Sequence, residues 1–122
     1  MITISDSEWK IMNVLWEKSP KTITELTKEL SDQTGWSKHT IITLLKRLDA
    51  KGAVYYEEGE RAKQYYAKIP QNEAIMEEAK HFLNKAFKGK IGLMINTLIR
   101  EEDLSQQELD ELYEILEKKR RD

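Results

Sequence analysis

Residues 36–52 read W-S-K-H-T-I-I-T-L-L-K-R-L-D-A-K-G. Lys38, His39, Thr40, Thr43, Lys46 and Arg47 recur there at helical spacing, with no acid before Asp49. Advancing ~100° per residue, Ile41, Leu44, Leu45 and Leu48 share one narrow sector, which is the core face. His39, Thr43, Lys46, Arg47 and Ala50 lie opposite, with Thr40 on one flank and Ile42 on the other. Lys38 and His39 sit in the first turn, where cations oppose the helix dipole and helix stability alone favours acids. That arrangement suits a helix whose N-terminal half faces an anion. Duplex DNA is one: its major groove admits a helix, and recognition helices present their N-terminal residues to base edges. Lysine and arginine donate to guanine or phosphate, threonine offers a hydroxyl and a methyl, and Ile42 has methyls suited to thymine. The plainer alternative is a merely solvated face, with Ile42 a partly buried edge residue.

The surrounding elements decide between these readings. Ser5 and Glu8 have capping-box spacing ahead of a stripe of Trp9, Ile11, Met12, Leu15 and Trp16, which predicts a first helix ending near Lys18-Ser19-Pro20. Thr22 and Glu25 open a short second helix with Ile23, Leu26 and Leu30 on its buried side, and residues 31–35 read as a loop. Ser37 caps the third helix and Gly52 stops it. Trp36 is placed to pack beneath it. The period then changes: residues 53–56 and 62–66 are short β-prone runs around Glu57-Glu58-Gly59-Glu60-Arg61, a hairpin loop. Helix, short helix, basic helix and hairpin make a winged helix-turn-helix. Arg61 and Lys63 would then touch the sugar-phosphate backbone from the flank. Glu57, Glu58 and Glu60 would repel phosphate, so the wing's contact is expected to be shallow.

Ile69-Pro70-Gln71-Asn72 reads as a boundary. Three further helices are predicted over about 72–87, 90–100 and 105–120, the last opened by Ser105 and Glu108. The fold class is therefore mainly α with a small β-hairpin. Residues 1–69 form the winged helix-turn-helix, and residues 70–122 form a three-helix dimerisation region. Three short helices hold too little apolar surface to close a core alone, whereas two interleaved copies suffice. Phe82, Phe87, Ile91, Met94, Ile95, Leu98, Leu109, Leu112, Tyr113 and Leu116 are the expected contacts of a homodimer. The alternative is a monomeric bundle.

Composition narrows the function. The 122 residues carry a net charge of −2, but residues 36–68 hold seven Lys/Arg against four acids, a local net of +3. Residues 69–122 hold nine against twelve, a net of −3. There is no cysteine, which rules out disulfides, thiolate zinc sites and cysteine nucleophiles and fits a reducing compartment. No apolar run approaches the ~18–20 residues of a membrane span, and no charged-then-apolar leader opens the chain. A soluble cytoplasmic protein is expected. His39 and His81 are 42 positions apart. No glycine-rich phosphate loop, metal-spaced ligand set or nucleophile motif appears, so no enzymatic activity, cofactor or metal is expected.

I-S-D-S-E-W-K-I-M-N-V-L-W, the 36–52 stretch, the Tyr-Tyr of the second strand, H-F-L-N-K-A-F-K-G and E-D-L-S-Q-Q-E-L-D-E-L-Y-E-I-L together resemble the penicillinase-repressor family (BlaI/MecI/CopY type). The resemblance runs in order over nearly the whole chain. It implies a dimeric repressor that binds a palindromic double-stranded operator in its own regulatory operon. The family frame W-S-x-x-T-I-x-T-L-x-x-R-L-x-x-K-G is kept at Trp36, Ser37, Thr40, Ile41, Thr43, Leu44, Arg47, Leu48, Lys51 and Gly52. Thr40 and Thr43 would be base or phosphate contacts, and Arg47 a backbone clamp. Family members often have Pro-Lys where this chain has Lys38-His39, and Arg or Gln where it has Ile42. One branch of the family is relieved by cleavage at an Asn-Phe bond, a step linked to a membrane sensor protease. The aligned pair here is Asn96-Thr97, in which the aromatic residue is gone. A second branch uses a cysteine-rich tail to bind metal, and this chain has none. A winged-helix protein-interaction adaptor without sequence-specific DNA binding is the competing reading. Such an adaptor has no need for Lys38, Thr40, Lys46 and Arg47 together.

Overall fold

The computed structural model describes residues 2–101 and 104–122. Among the described residues, six helices and one hairpin follow in the order α1 (Asp6–Glu17), α2 (Ile23–Thr34), α3 (Lys38–Lys51), β1 (Val54–Glu58), β2 (Lys63–Ala67), α4 (Gln71–Phe87), α5 (Ile91–Glu101) and α6 (Gln106–Arg121). This is the mainly helical winged helix-turn-helix architecture expected. The chain divides into two compact units, residues 1–81 and 82–122, so α4 runs from one into the other.

In the first unit the helix starts are chemically marked. Ser5 and Thr22 each accept the backbone N–H three residues on, and Glu8 and Glu25 return the bond to the cap N–H. Each such box is worth about 1 kcal/mol to its helix. Ser37 caps α3 in the same way, accepting from Thr40 N–H at 3.3 Å, but no glutamate completes the box. Gly35 (φ 68°) and Gly52 (φ 80°) end α2 and α3 in the left-handed region, which a residue with a Cβ enters only at a steric penalty.

The core joins Ile11, Met12 and Leu15 of α1 to Leu26 and Leu30 of α2 and to Ile41, Leu44, Leu45 and Leu48 of α3. Ala53, Val54, Tyr65, Ile69 and Ala74 close it. Each large apolar side chain buried there stabilises the unit by roughly 1.5–3 kcal/mol. Trp36 packs against this core, as its place before α3 predicts.

The hairpin is antiparallel, with Val54 opposite Ala67, Tyr56 opposite Tyr65 and Glu58 opposite Lys63. Those three pairs share one face because side chains alternate along a strand. Lys21 adds a third edge: its N–H donates to Tyr65 O at 3.0 Å, and Tyr65 N–H donates back at 2.8 Å. Trp16 Nε1 donates to Ile69 O at 2.9 Å, which ties the exit of the wing to α1.

Two local expectations change. Residues 31–34 continue α2 instead of forming a loop. Ser31 and Thr34 donate their hydroxyls to Lys28 O and Leu30 O, and the turn closes only at Gly35. Glu57 and Glu58 belong to β1, because pairing with Gln64 and Lys63 extends the strand past its β-prone core.

The second unit comprises the end of α4 with α5 and α6. Lys88 (φ 53°) and Gly89 turn the chain between α4 and α5. Ser105 and Glu108 form a complete capping box on α6. Neither α5 nor α6 has a buried residue. No helix among the described residues is long and apolar enough to cross a membrane.

Candidate nucleic-acid interface

The apolar face of α3 is fully committed to the core: Ile41, Leu44, Leu45 and Leu48 are all buried. That burial fixes what the helix shows outward. Lys38, His39, Lys46 and Arg47 are exposed, and Thr40, Ile42 and Thr43 are half-buried. The first turn holds no acid and the last turn adds Lys51. Among the described residues the ion pairs are Lys21–Glu29 and Lys51–Glu8. Lys38, Lys46, Arg47 and Arg61 therefore have no carboxylate partner among the described residues, and their donors remain available to an external anion.

The threonines are partly engaged within the helix. Thr43 Oγ1 donates to His39 O at 3.0 Å, which leaves its lone pairs free to accept. Thr40 Oγ1 lies 3.4 Å from Ser37 Oγ. Both hydroxyls are thus oriented by neighbours before any ligand arrives.

Ile42 lies one helical turn from both Lys38 and Lys46, on the side of α3 that turns toward the hairpin. With Ile23, Leu45, Lys46, Asp49, Tyr56, Lys63 and Tyr65 it lines an open cleft of about 370 Å³ between α3 and the inner face of the hairpin. Lys63 Nζ stands 4.3 Å from the centre of the Tyr56 ring, a cation–π arrangement that holds the charge over the wing. The Tyr56 and Tyr65 rings are 5.5 Å apart beside it. On the outer face Tyr55 stacks on Tyr66 at 5.0 Å. Arg61 lies in the exposed turn between the strands.

Sequence reasoning missed two parts of this unit. The aromatic support of Lys63 depends on strand register, and Tyr56 alternates onto that face only once Tyr65 is its partner. The tie between α3 and α1 was missed as well: Lys51 reaches Glu8, 43 residues away. The Glu8 carboxyl is buried, which raises its pKa. Hydrogen bonds from Lys51 and from the backbone and hydroxyl of Ser5 overcome that effect and hold it below the ordinary glutamate value.

The chain matches the penicillinase repressor family over residues 4–118. It belongs to that family. The methicillin resistance regulatory protein MecI of Mammaliicoccus sciuri is 35% identical over 116 residues, covering 95% of this chain and 94% of that one. The penicillinase repressor of Bacillus licheniformis is 37% identical over 114 residues, covering 93% and 89%. Among solved structures, the monomeric form of Bacillus licheniformis BlaI in complex with the blaP half-operator aligns with a TM-score of 0.51 and 38% identity. It covers 57% of this chain and 85% of that one. E. coli MarR in its apo form aligns over 94% of this chain with a TM-score of 0.54 and 20% identity, a likeness of fold alone.

Proposed function

We propose that this member of the penicillinase repressor family is a dimeric, sequence-specific repressor that places α3 in the major groove of a palindromic operator. The observation that carries the reading is the outward face of α3. It is acid-free through its first turn and holds exposed Lys38, His39, Lys46 and Arg47 beside oriented Thr40 and Thr43. The half-operator complex of a relative at 38% identity supports it. Lys46 and Arg47 neutralise phosphates, while Thr40 and Thr43 meet base edges or phosphates. Lys38 and His39 face the DNA at the start of the helix. Arg61 and Lys63 reach the backbone from the wing. Ile42 reads thymine methyls only from the edge of the face, since it also lines the cleft toward the hairpin. The chain uses no cofactor or metal, is not an enzyme, and works in the cytoplasm where operators are found.

Dimerisation rests on the second unit. Ile91, Leu98, Tyr113 and Leu116 are 59, 51, 67 and 54% exposed in the single chain. Phe82 meets Phe87 edge-to-face, with centroids 6.0 Å apart, yet remains half exposed. A second copy covers this surface, with Met94, Ile95, Leu109 and Leu112 completing the contact. Two α3 helices then address two half-sites across a two-fold axis. Relief follows from loosening this unit without touching α3. The Asn96–Thr97 bond lies inside α5, and Thr97 Oγ1 donates to Leu93 O at 2.8 Å. A membrane sensor protease acting there would need that turn to unwind first.

A gel shift with the DNA upstream of the chain's own gene, beside a scrambled fragment, tests the reading. Selective retention that weakens steeply with salt supports it, and equal indifference to both fragments refutes it. Ile42→Arg changes the preferred sequence if Ile42 reads a base.

A further inference from the structure

The four buried side chains that seat α3 hold it by apolar packing, which has no direction of its own. Lys51 adds directional bonds at the last turn. Its Nζ donates to Thr3 O at 2.7 Å and to Glu8 Oε1. Glu8 is 1% exposed and belongs to the first turn of α1. The same Oε1 accepts from Ser5 N–H at 2.8 Å, whereas Oε2 is buried with no hydrogen-bond partner among the described residues. One lysine thus fastens the C-terminal end of α3 to both the N-terminal segment and the capping box of α1. A slide of α3 by one residue, about 1.5 Å, strains both bonds at once, because their acceptors sit on different segments.

An ion pair with the carboxylate buried and the lysine side chain 34% exposed is a poor device for stability alone, since water screens the exposed end. Well-packed apolar residues of similar volume often serve as well or better. Its distinct property is geometric, and base readout needs side chains held within about 0.5 Å of the productive position. Thr43 lies eight residues from Lys51, about 12 Å along the axis. A small tilt at the pinned end is therefore carried to the reading end.

We propose that Lys51 and Glu8 are positioning residues for sequence readout, fixing the height and rotation of α3 on α1 and so deciding which base edges its N-terminal half meets. The proposal rests on the DNA-reading role of α3 given above.

The test uses the full chain, a promoter fragment and a scrambled fragment of equal length, with a salt series and thermal melts. Lys51→Met alone strands the Glu8 carboxylate. Adding Glu8→Gln relieves that, because glutamine keeps the reciprocal bond to Ser5. The double variant is expected to melt near the parent and to bind scrambled DNA with the parent's affinity and salt slope. Its promoter-to-scrambled ratio falls about tenfold, the worth of one good base contact. Glu8→Gln alone keeps an acceptor for Lys51 and keeps the ratio. Lys51→Gln, a milder change, carries the same expected loss where the double variant folds poorly. A ratio unchanged in folded Lys51 variants overturns the proposal, as does an equal loss on both fragments. A parent chain that itself ignores the promoter removes the DNA-reading role, and this inference with it.

Discussion

Arg47→Ala measures how many phosphates the interface neutralises. Arg47 is exposed and has no carboxylate partner among the described residues, so its removal leaves the fold within about 0.5 kcal/mol of the parent. Each phosphate neutralised contributes about 0.9 to the slope of log affinity against log salt. A dimer carries the residue twice, so the slope falls by about 1.8. Between 50 and 200 mM salt the concentration rises fourfold, and the parent should lose about 12-fold more affinity than the variant. One engaged subunit would give only about 3.5-fold. Fluorescence anisotropy with a labelled promoter fragment at several salt concentrations reads the difference directly. An unchanged slope with weaker binding would mean that Arg47 acts without touching a phosphate, and the assignment of this face to the DNA backbone would be wrong.

Other perturbations address the scaffold and the tail. Leu48 of α3 is wholly buried in the core of the first unit, so Leu48→Ala should lower stability by about 2–5 kcal/mol in urea melts, and a loss under 1 kcal/mol would contradict the packing. Leu98→Glu places a charge on the half-exposed apolar surface of α5. Sedimentation should then show monomers at micromolar concentration, with promoter affinity down at least tenfold and near-UV signals of the first unit unchanged. The folded-state pKa of Glu8 lies below its unfolded value, so its contribution to stability is present above about pH 4.5 and is lost as pH falls through the lowered value. Thermal melts from pH 7 to pH 3 should show a steeper acid decline for the parent than for the Lys51→Met/Glu8→Gln variant, and parallel curves would contradict the pairing.

Much of this was legible in the chain because it depends on neighbours in sequence. The 3.6-residue stripe of Ile41, Leu44, Leu45 and Leu48, its cap at Ser37 and its stop at Gly52 need only about 16 residues of context, and all three appear as expected. The cationic face followed as the complement of that stripe. Features set by distant partners were not legible. Ser31, Asp32 and Thr34 are indifferent helix formers, and the helical state of residues 31–34 follows from the placement of Leu30 in the core and from the left-handed turn at Gly35. Glu57 and Glu58 read as loop residues until Gln64 and Lys63 pair with them. Nothing in the sequence sets Lys51 apart from the other cations of residues 36–52, and only the fold brings Glu8 to it. In the second unit the apolar stripes of α5 and α6 were readable, but a stripe does not say what covers it.

The central claim is that a pair of α3 helices, held together through the tail units, reads duplex DNA. Hydroxyl-radical footprinting of the intact chain on the DNA upstream of its gene tests it most directly. Two protected patches on one face of the duplex, about one or two helical turns apart and related by a dyad in the sequence, are predicted. A single patch, or uniform cleavage at chain concentrations that saturate the fragment, would contradict it.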